Sequence, residues 1–266
     1  MNIIVCVKQI YDPEAPPASF KIDAATNQML AGPGVNLVIS PFDEQAVEAA
    51  LKIRDAIGAK VTVISLGKSF QRDVIKKPLS MGADELILLE DDAFDGGDSW
   101  STAFALAEAI KKTGAFDLII CGRQAADWDA GQVGSGLAEF LGLPCITVAK
   151  KIEVKDHTAR VERVLPDGYE VIQVELPALI TVSNEMGEPR YATLKGIMAA
   201  AKKQPVVWKP KDLGLSPEQI GRPARISKLV KLFQPEKAGK CDMVEGENPA
   251  DAGVKLALKL REAKLI

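Results

Sequence analysis

Short apolar runs of strand length recur through the first two-thirds of this chain, separated by longer segments with apolar residues at helical spacing. The runs cover residues 3–7, 61–66, 85–89, 118–121 and 145–148, and they are continuous rather than alternating. A strand that is apolar at every position is one covered on both faces. Residues 42–57 place Ala46, Ala49, Ala50, Ile53 and Ile57 on one side and Glu48, Lys52, Arg54 and Asp55 outward, with Asp43 and Glu44 in the first turn and Gly58 beyond the last. Residues 70–81 and 99–112 repeat that pattern, each followed by a glycine, Gly82 and Gly114. Alternation of this kind implies right-handed crossovers. The fold class is therefore α/β, a doubly wound and mainly parallel sheet.

Two stretches break the rhythm. Residues 9–40 carry Pro13, Pro16, Pro17, Gly32, Pro33 and Gly34 around a short segment at 20–23, which reads as an excursion or small hairpin. Residues 160–164 and 171–175 alternate apolar with polar on either side of Pro166-Asp167-Gly168, a hairpin signal, and 179–182 reads as a buried strand returning to the main sheet. From Gln204 onward, repeated prolines separate short apolar groups that cannot close a core of their own. The expected organisation is an α/β domain over 1–203 and an extended C-terminal arm over 204–266. The arm ends in a helix near 250–263 whose Val254, Leu256, Leu258 and Leu260 need a partner surface.

Composition narrows the chemistry. Thirty-three Lys and Arg against 36 Asp and Glu leave a net charge of -3, with no basic surplus to draw nucleic acid or an anionic membrane. The single histidine, His157, lies in a polar stretch, which nearly excludes zinc chemistry and a Ser-His-Asp triad. No catalytic side chain and no metal site are expected. Cys6, Cys121 and Cys145 lie in apolar runs where buried packing is expected, and the four cysteines form no CxxC pair. Reduced, scattered thiols, the lack of a leader pattern and the lack of any run near ~20 apolar residues point to a cytoplasmic protein with no membrane span.

Ligands of open α/β sheets bind beyond the carboxyl ends of the strands, beside helix N-termini. The most unusual such segment is Gly122-Arg123-Gln124-Ala125-Ala126-Asp127-Trp128-Asp129-Ala130-Gly131-Gln132-Val133-Gly134, which follows a strand and leads into a helix at about Gln132. Small residues let backbone N–H groups approach an anion, Arg123 adds positive charge, and the helix start adds its dipole. Gln124, Asp127 and Gln132 are placed to read a base or ribose; tight-turn glycines with solvent-facing carboxylates are an equally good reading of the residues alone. Asp127 and Asp129 also form a weak candidate for an acid–base pair. There is neither a GxGxxG after the first strand nor a GxxxxGK[ST] loop. Further along, Leu194 stands among polar residues after a turn, either starting a surface helix or serving as an exposed anchor for a partner pocket.

Several motifs in order resemble the β subunits of electron transfer flavoproteins: Val7-Lys8-Gln9, Ser40-Pro41-Phe42-Asp43-Glu44, Met81-Gly82-Ala83-Asp84, Gly122-Arg123-Gln124-Ala125, Gln132-Val133-Gly134, Leu176-Pro177-Ala178 and Glu188-Pro189-Arg190-Tyr191-Ala192-Thr193-Leu194. The resemblance spans essentially the whole chain. It implies an adenine-nucleotide-hydrolase-like fold and a heterodimer with an α subunit that holds a redox FAD. It also implies an adenine nucleotide in a pocket lined by Cys6, by Ser40, Pro41, Phe42 and Asp43, by Leu66, and by the loop from Gly122 to Val133. That nucleotide is AMP in the ordinary branch of the family and a second FAD in the electron-bifurcating branch, which draws on NADH and feeds ferredoxin. FAD is the slightly preferred expectation here. Tyr191, Ala192, Thr193, Leu194 and Lys195 correspond to a recognition loop whose leucine enters an acyl-CoA dehydrogenase. Ser40 replaces the usual asparagine, Trp128 a small or acidic residue, and Ala130 a common threonine, so the backbone N–H groups are left to hold a phosphate there. A different reading is a stand-alone adenine-nucleotide-binding module of the stress-protein or ATP-pyrophosphatase type.

Overall fold

The computed structural model describes residues 1–235, 239 and 241–266. The chain opens with β1 (Asn2–Cys6), then makes its excursion through β2 (Gln9–Tyr11), β3 (Phe20–Asp23), β4 (Gln28–Ala31) and β5 (Leu37–Ile39) before entering α1 (Pro41–Ile57). The excursion is two small antiparallel pairs, β2 with β5 and β3 with β4. There follow β6 (Lys60–Gly67), α2 (Arg72–Ile75), α3 (Lys77–Met81), β7 (Glu85–Glu90), α4 (Ser99–Thr113), β8 (Leu118–Gly122) and α5 (Val133–Leu141). The last third holds β9 (Cys145–Lys155), β10 (Thr158–Leu165), β11 (Gly168–Glu175), β12 (Ala178–Val182), α6 (Leu194–Lys202), β13 (Val206–Trp208) and α7 (Pro249–Glu262).

One sheet in the order β11-β10-β9-β12-β8-β1-β6-β7-β13 forms the centre. It is parallel from β9 to β13, while β10 and β11 extend it as an antiparallel hairpin. Both faces are covered, and β1 shows why its sequence is apolar at every step. Ile3 and Val5 enter a core with Ala46, Ala50 and Leu51 of α1, whereas Ile4 and Cys6 enter a second core with Ala103, Leu106 and Ile110 of α4 and Leu137 of α5. The doubly wound expectation holds.

The order of β1, β6, β7 and β8 sets the position of the site. From β1 the chain steps outward to β6 and β7, then crosses back to place β8 on the other side of β1. The connections leaving β1 and β8 therefore diverge to opposite faces, and a crevice opens at the carboxyl ends of these two strands.

Several sequence expectations are corrected. The helix read over 70–81 is two short ones, because Pro78 removes an N–H and crowds the preceding turn; the first ends at Ile75 and the second begins at Lys77. In α1, Glu48 is buried rather than outward and Ile57 is exposed. Cys6 and Cys121 are buried, but Cys145 is exposed, since it is the first residue of β9 and lies at the rim of the sheet. The stretch after Gln204 begins as part of the domain: β13 pairs with β7, and Leu215 and Ile220 join the second core. Residues 236–238 and 240 of the expected arm lie outside the described residues.

Beyond 220 the chain is held on its own domain by polar clamps. Asp98, the N-cap of α4, accepts from the N–H groups of Ile226 and Ser227 and from Ser227 Oγ, each at 2.9 Å. Partial burial opposes charge on this carboxyl, but its hydrogen bonds from Ser101, Ser227 and Ile226 outweigh that and hold its pKa at about 2. Asn27 donates to Val230 O at 3.0 Å and accepts from Leu232 N–H at 2.9 Å. Ile226, Val230 and Phe233 are left exposed along this strip, and α7 buries none of its residues. Among the described residues, no helix is long and apolar enough to cross a membrane.

Candidate functional site

The crevice is built by three chain segments that lock one another. Ser40 N–H donates to Lys8 O at 2.9 Å, and Lys8 N–H donates to Asp43 Oδ2 at 2.8 Å, so the end of β1 fixes the start of α1. Pro41 begins that helix, where its missing N–H costs nothing. Gly122 closes the third side. A Cβ built on it would stand 2.5 Å from Asp43 Oδ1 and 2.8 Å from the backbone carbonyl carbon of Phe42, so only glycine permits the approach. Cys6 and Cys121 lie side by side in the β1–β8 register just beneath, and their mutual hydrogen bond and burial push the Cys121 thiol pKa well up. These are inert, packed thiols.

The loop after β8 is tied back across this floor. Arg123 N–H donates to Val182 O at 2.9 Å, Ala126 N–H to Ser40 Oγ at 3.4 Å, and Lys8 Nζ pairs with Asp127 at 2.7 Å. Gln124 Nε2 donates to Asp129 Oδ1 at 2.8 Å, holding a bend in which Asp129 and Gly131 both take left-handed conformations. Gln132 is the N-cap of α5 and uses no side-chain cap. Trp128 stands 60% exposed at the tip. Leu66, near the end of β6, packs at the edge of the second core. Cys6, the Ser40–Asp43 turn and the Gly122–Val133 loop thus lie together at one end of the sheet, with Leu66 on the neighbouring strand end.

Two basic residues, Lys8 and Arg123, stand among the acidic ones here, and Lys8 is paired with Asp127. The Arg123 guanidinium stacks 4.9 Å from the centroid of the Phe42 ring, and its Nε is buried with no hydrogen-bond partner among the described residues. A buried donor left without a partner costs free energy until something accepts from it. Asp127 and Asp129 are each engaged elsewhere, by Lys8 and Gln124, so they do not assemble into an acid–base pair. Asp43 has its pKa raised to about 7 by burial, against the opposing pull of the Lys8 and Gly122 N–H groups and the Lys8 charge. A group whose pKa rises on folding takes up a proton, so its contribution is favourable below pH ~4 and is lost as pH climbs through about 7. Urea midpoints of Asp43→Asn should therefore fall less than those of the natural sequence between pH 5 and 8. Parallel curves would remove Asp43 as the source of that dependence.

A second feature lies away from the crevice. Residues 187–193 cross the side of α1 and lead into α6, with Tyr191 96% and Leu194 75% exposed. Thr193 is the N-cap of α6, its Oγ1 accepting from Gly196 N–H at 3.0 Å, and Ile197 and Met198 continue the apolar surface. Leu194 is the first residue of this surface helix, and its side chain is exposed. Sequence reasoning missed what holds the loop: Glu48, buried to 4% exposure, grips Arg190. A carboxylate flanked by Val47 and Ala49, seven residues before Asp55 and so on the same helix face, was the available signal.

Fold and site together define an α/β domain with a crevice at its topological switch point, lined by the end of β1, the start of α1 and the loop after β8. The electron transfer flavoprotein domain model matches residues 29–213. A caffeyl-CoA reductase-Etf complex subunit, CarD, of Acetobacterium woodii is 40% identical over 100% of both chains. An electron transfer flavoprotein subunit beta of Thermoanaerobacterium thermosaccharolyticum is 40% identical over 90% of this chain and 91% of its own. An acryloyl-CoA reductase electron transfer subunit gamma of Anaerotignum propionicum is 35% identical over 92% and 93%. The chain belongs to the electron transfer flavoprotein family, among its β subunits.

Proposed function

We propose that this chain is the β half of a heterodimer whose α subunit carries a redox FAD, and that its crevice holds an adenine nucleotide. The observation that carries the proposal is Arg123: a buried, unpartnered Nε beside a loop of small residues and a helix start is a site waiting for a phosphate oxygen. The Gly122 approach, which no side chain can replace, keeps the loop backbone close to that anion. Lys8, engaged with Asp127, fixes the far side of the loop.

We infer FAD rather than AMP in this site, on the likeness of the 122–134 motifs to the bifurcating branch and on the full-length similarity to a subunit of a reductase–Etf complex. Bound there, FAD would supply the two-electron chemistry with NADH, its electrons divided between ferredoxin and an acyl-CoA dehydrogenase or related flavoenzyme. The chain's own residues bind and orient. The exposed Tyr191–Leu194 segment docks the dehydrogenase, and the exposed apolar residues of the arm pack on the α subunit.

Co-expression with the α subunit followed by denaturing extraction tests the assignment. Two FAD per heterodimer are expected. One FAD with one AMP would replace the cofactor and keep the heterodimer. A homogeneous monomer that binds ATP and forms no α complex would instead establish the stand-alone nucleotide-binding module.

A further inference from the structure

We propose that Arg190 is the positioning residue of the docking loop, gripping helix α1 so that Leu194 is presented at a fixed place. The inference rests on the reading that Leu194 enters a partner flavoenzyme. Glu48 Oε2 accepts from Arg190 Nε at 2.7 Å and from the Arg190 backbone N–H at 3.1 Å, while Oε1 accepts from Nη2 at 3.1 Å. Nη1 reaches the second carboxylate, Asp55 Oδ2, at 2.8 Å. The planar fork is thus spent on two acidic side chains two helical turns apart, with the chain's own N–H completing the grip.

The placement of this grip gives it its meaning. Glu48 is buried, and a buried carboxylate is tolerated only when paired, so the loop is drawn to α1 by the need to satisfy it. Lys52, one turn further on, donates to Met186 O at 2.9 Å and fixes the approach to the loop. On the other side, Thr193 caps α6, and the carbonyl of Ser80 lies so close to Gly196 that no side chain fits between. Between Arg190 and Leu194 the chain has only three residues, with Tyr191 96% exposed. With Arg190 held, the chain enters the first turn of α6 from a fixed point; with it released, residues 187–192 and the Thr193 cap that orients Leu194 must be reordered at each docking, which weakens association. A lysine supplies one point charge to this site and cannot span Glu48 and Asp55 together.

The test compares Arg190→Lys, Asp55→Asn and Leu194→Ala in the intact αβ complex, with an acyl-CoA dehydrogenase and its acyl-CoA as the electron source. Arg190→Lys is expected to raise KM for the dehydrogenase about tenfold, the loss of roughly one charge-assisted hydrogen bond. Its kcat and its nucleotide content should stay within twofold. Asp55→Asn, which opens only the exposed half of the grip, should raise KM by a smaller factor and covers the case in which the lysine variant fails to fold. Hydrogen exchange at the amides of 190–194 should quicken in both. If Leu194→Ala raises KM while both grip variants match the unaltered complex, the positioning role is overturned and the docking reading survives. If none of the three changes KM, the docking reading fails and takes the positioning role with it.

Discussion

Gly122→Ala is expected to empty the nucleotide crevice and to lower the stability of the subunit by about 2–3 kcal/mol, the range of overpacking where nothing flexible can give way. The added methyl would meet Asp43 Oδ1 at 2.5 Å and the Phe42 backbone at 2.8 Å, so relief requires the start of α1 to move and not merely a side chain to turn. That movement pulls Asp43 from Lys8 N–H and shifts the Phe42 ring under Arg123. Both are elements of the anion site, and a displacement near 1 Å is enough to lose a preorganised set of donors. The measurement is nucleotide released per mole of β subunit after heat denaturation, paired with a urea midpoint. Content below a tenth of normal is expected. Full content at normal stability would show that the β8–α1 junction is not part of the site. A useful contrast is Gly134, whose ideal Cβ meets Thr181 Cγ2 at 2.6 Å; there the clash is with a side chain of β12 and not with the backbone at the start of α1.

How much of this was legible from the residues depends on what each residue reports. Strands covered on both faces announce themselves by unbroken apolar runs, because alternate residues of β1 feed two different cores. The crevice was legible for a similar reason: small residues after β8 are needed wherever a strand end approaches a helix start. Charged residues misled, since a sequence shows a charge but not its partner. Glu48 read as solvent-facing because its partner Arg190 lies 142 positions away. Pro78 was visible, but its break in the 70–81 helix was masked by an apolar pattern that continues through it. Cys145 sits in an apolar run and is nevertheless exposed, because burial at a strand's first residue depends on what covers the rim. The prolines after 204 suggested an arm, yet Pro210 and Pro217 only begin short turns while Leu215 and Ile220 between and after them reach the core. Proline reports local φ, not separation from a domain.

Leu194→Ala should produce the largest loss of function available without disturbing the fold. The side chain is 75% exposed and heads α6 without entering either core, so its truncation should change stability by no more than about 0.5 kcal/mol. An exposed leucine held beside an ordered Thr193 cap is an anchor whose worth is realised only on docking. Burying such a side chain in a partner pocket is worth about 2 kcal/mol, so KM for the dehydrogenase should rise roughly thirtyfold while nucleotide content and the dye-linked NADH reaction stay unchanged. The separation of readouts matters because the loop and the crevice share helix α1: Ser40 and Asp43 lie at its start, and Glu48 and Asp55 hold the loop along its side. A substitution acting through the helix would change both KM and bound nucleotide, whereas one acting at the docking contact changes KM alone. Unaltered kinetics with the dehydrogenase would remove Leu194 as the anchor and shift attention to Ile197 and Met198, the exposed apolar residues one turn further along α6.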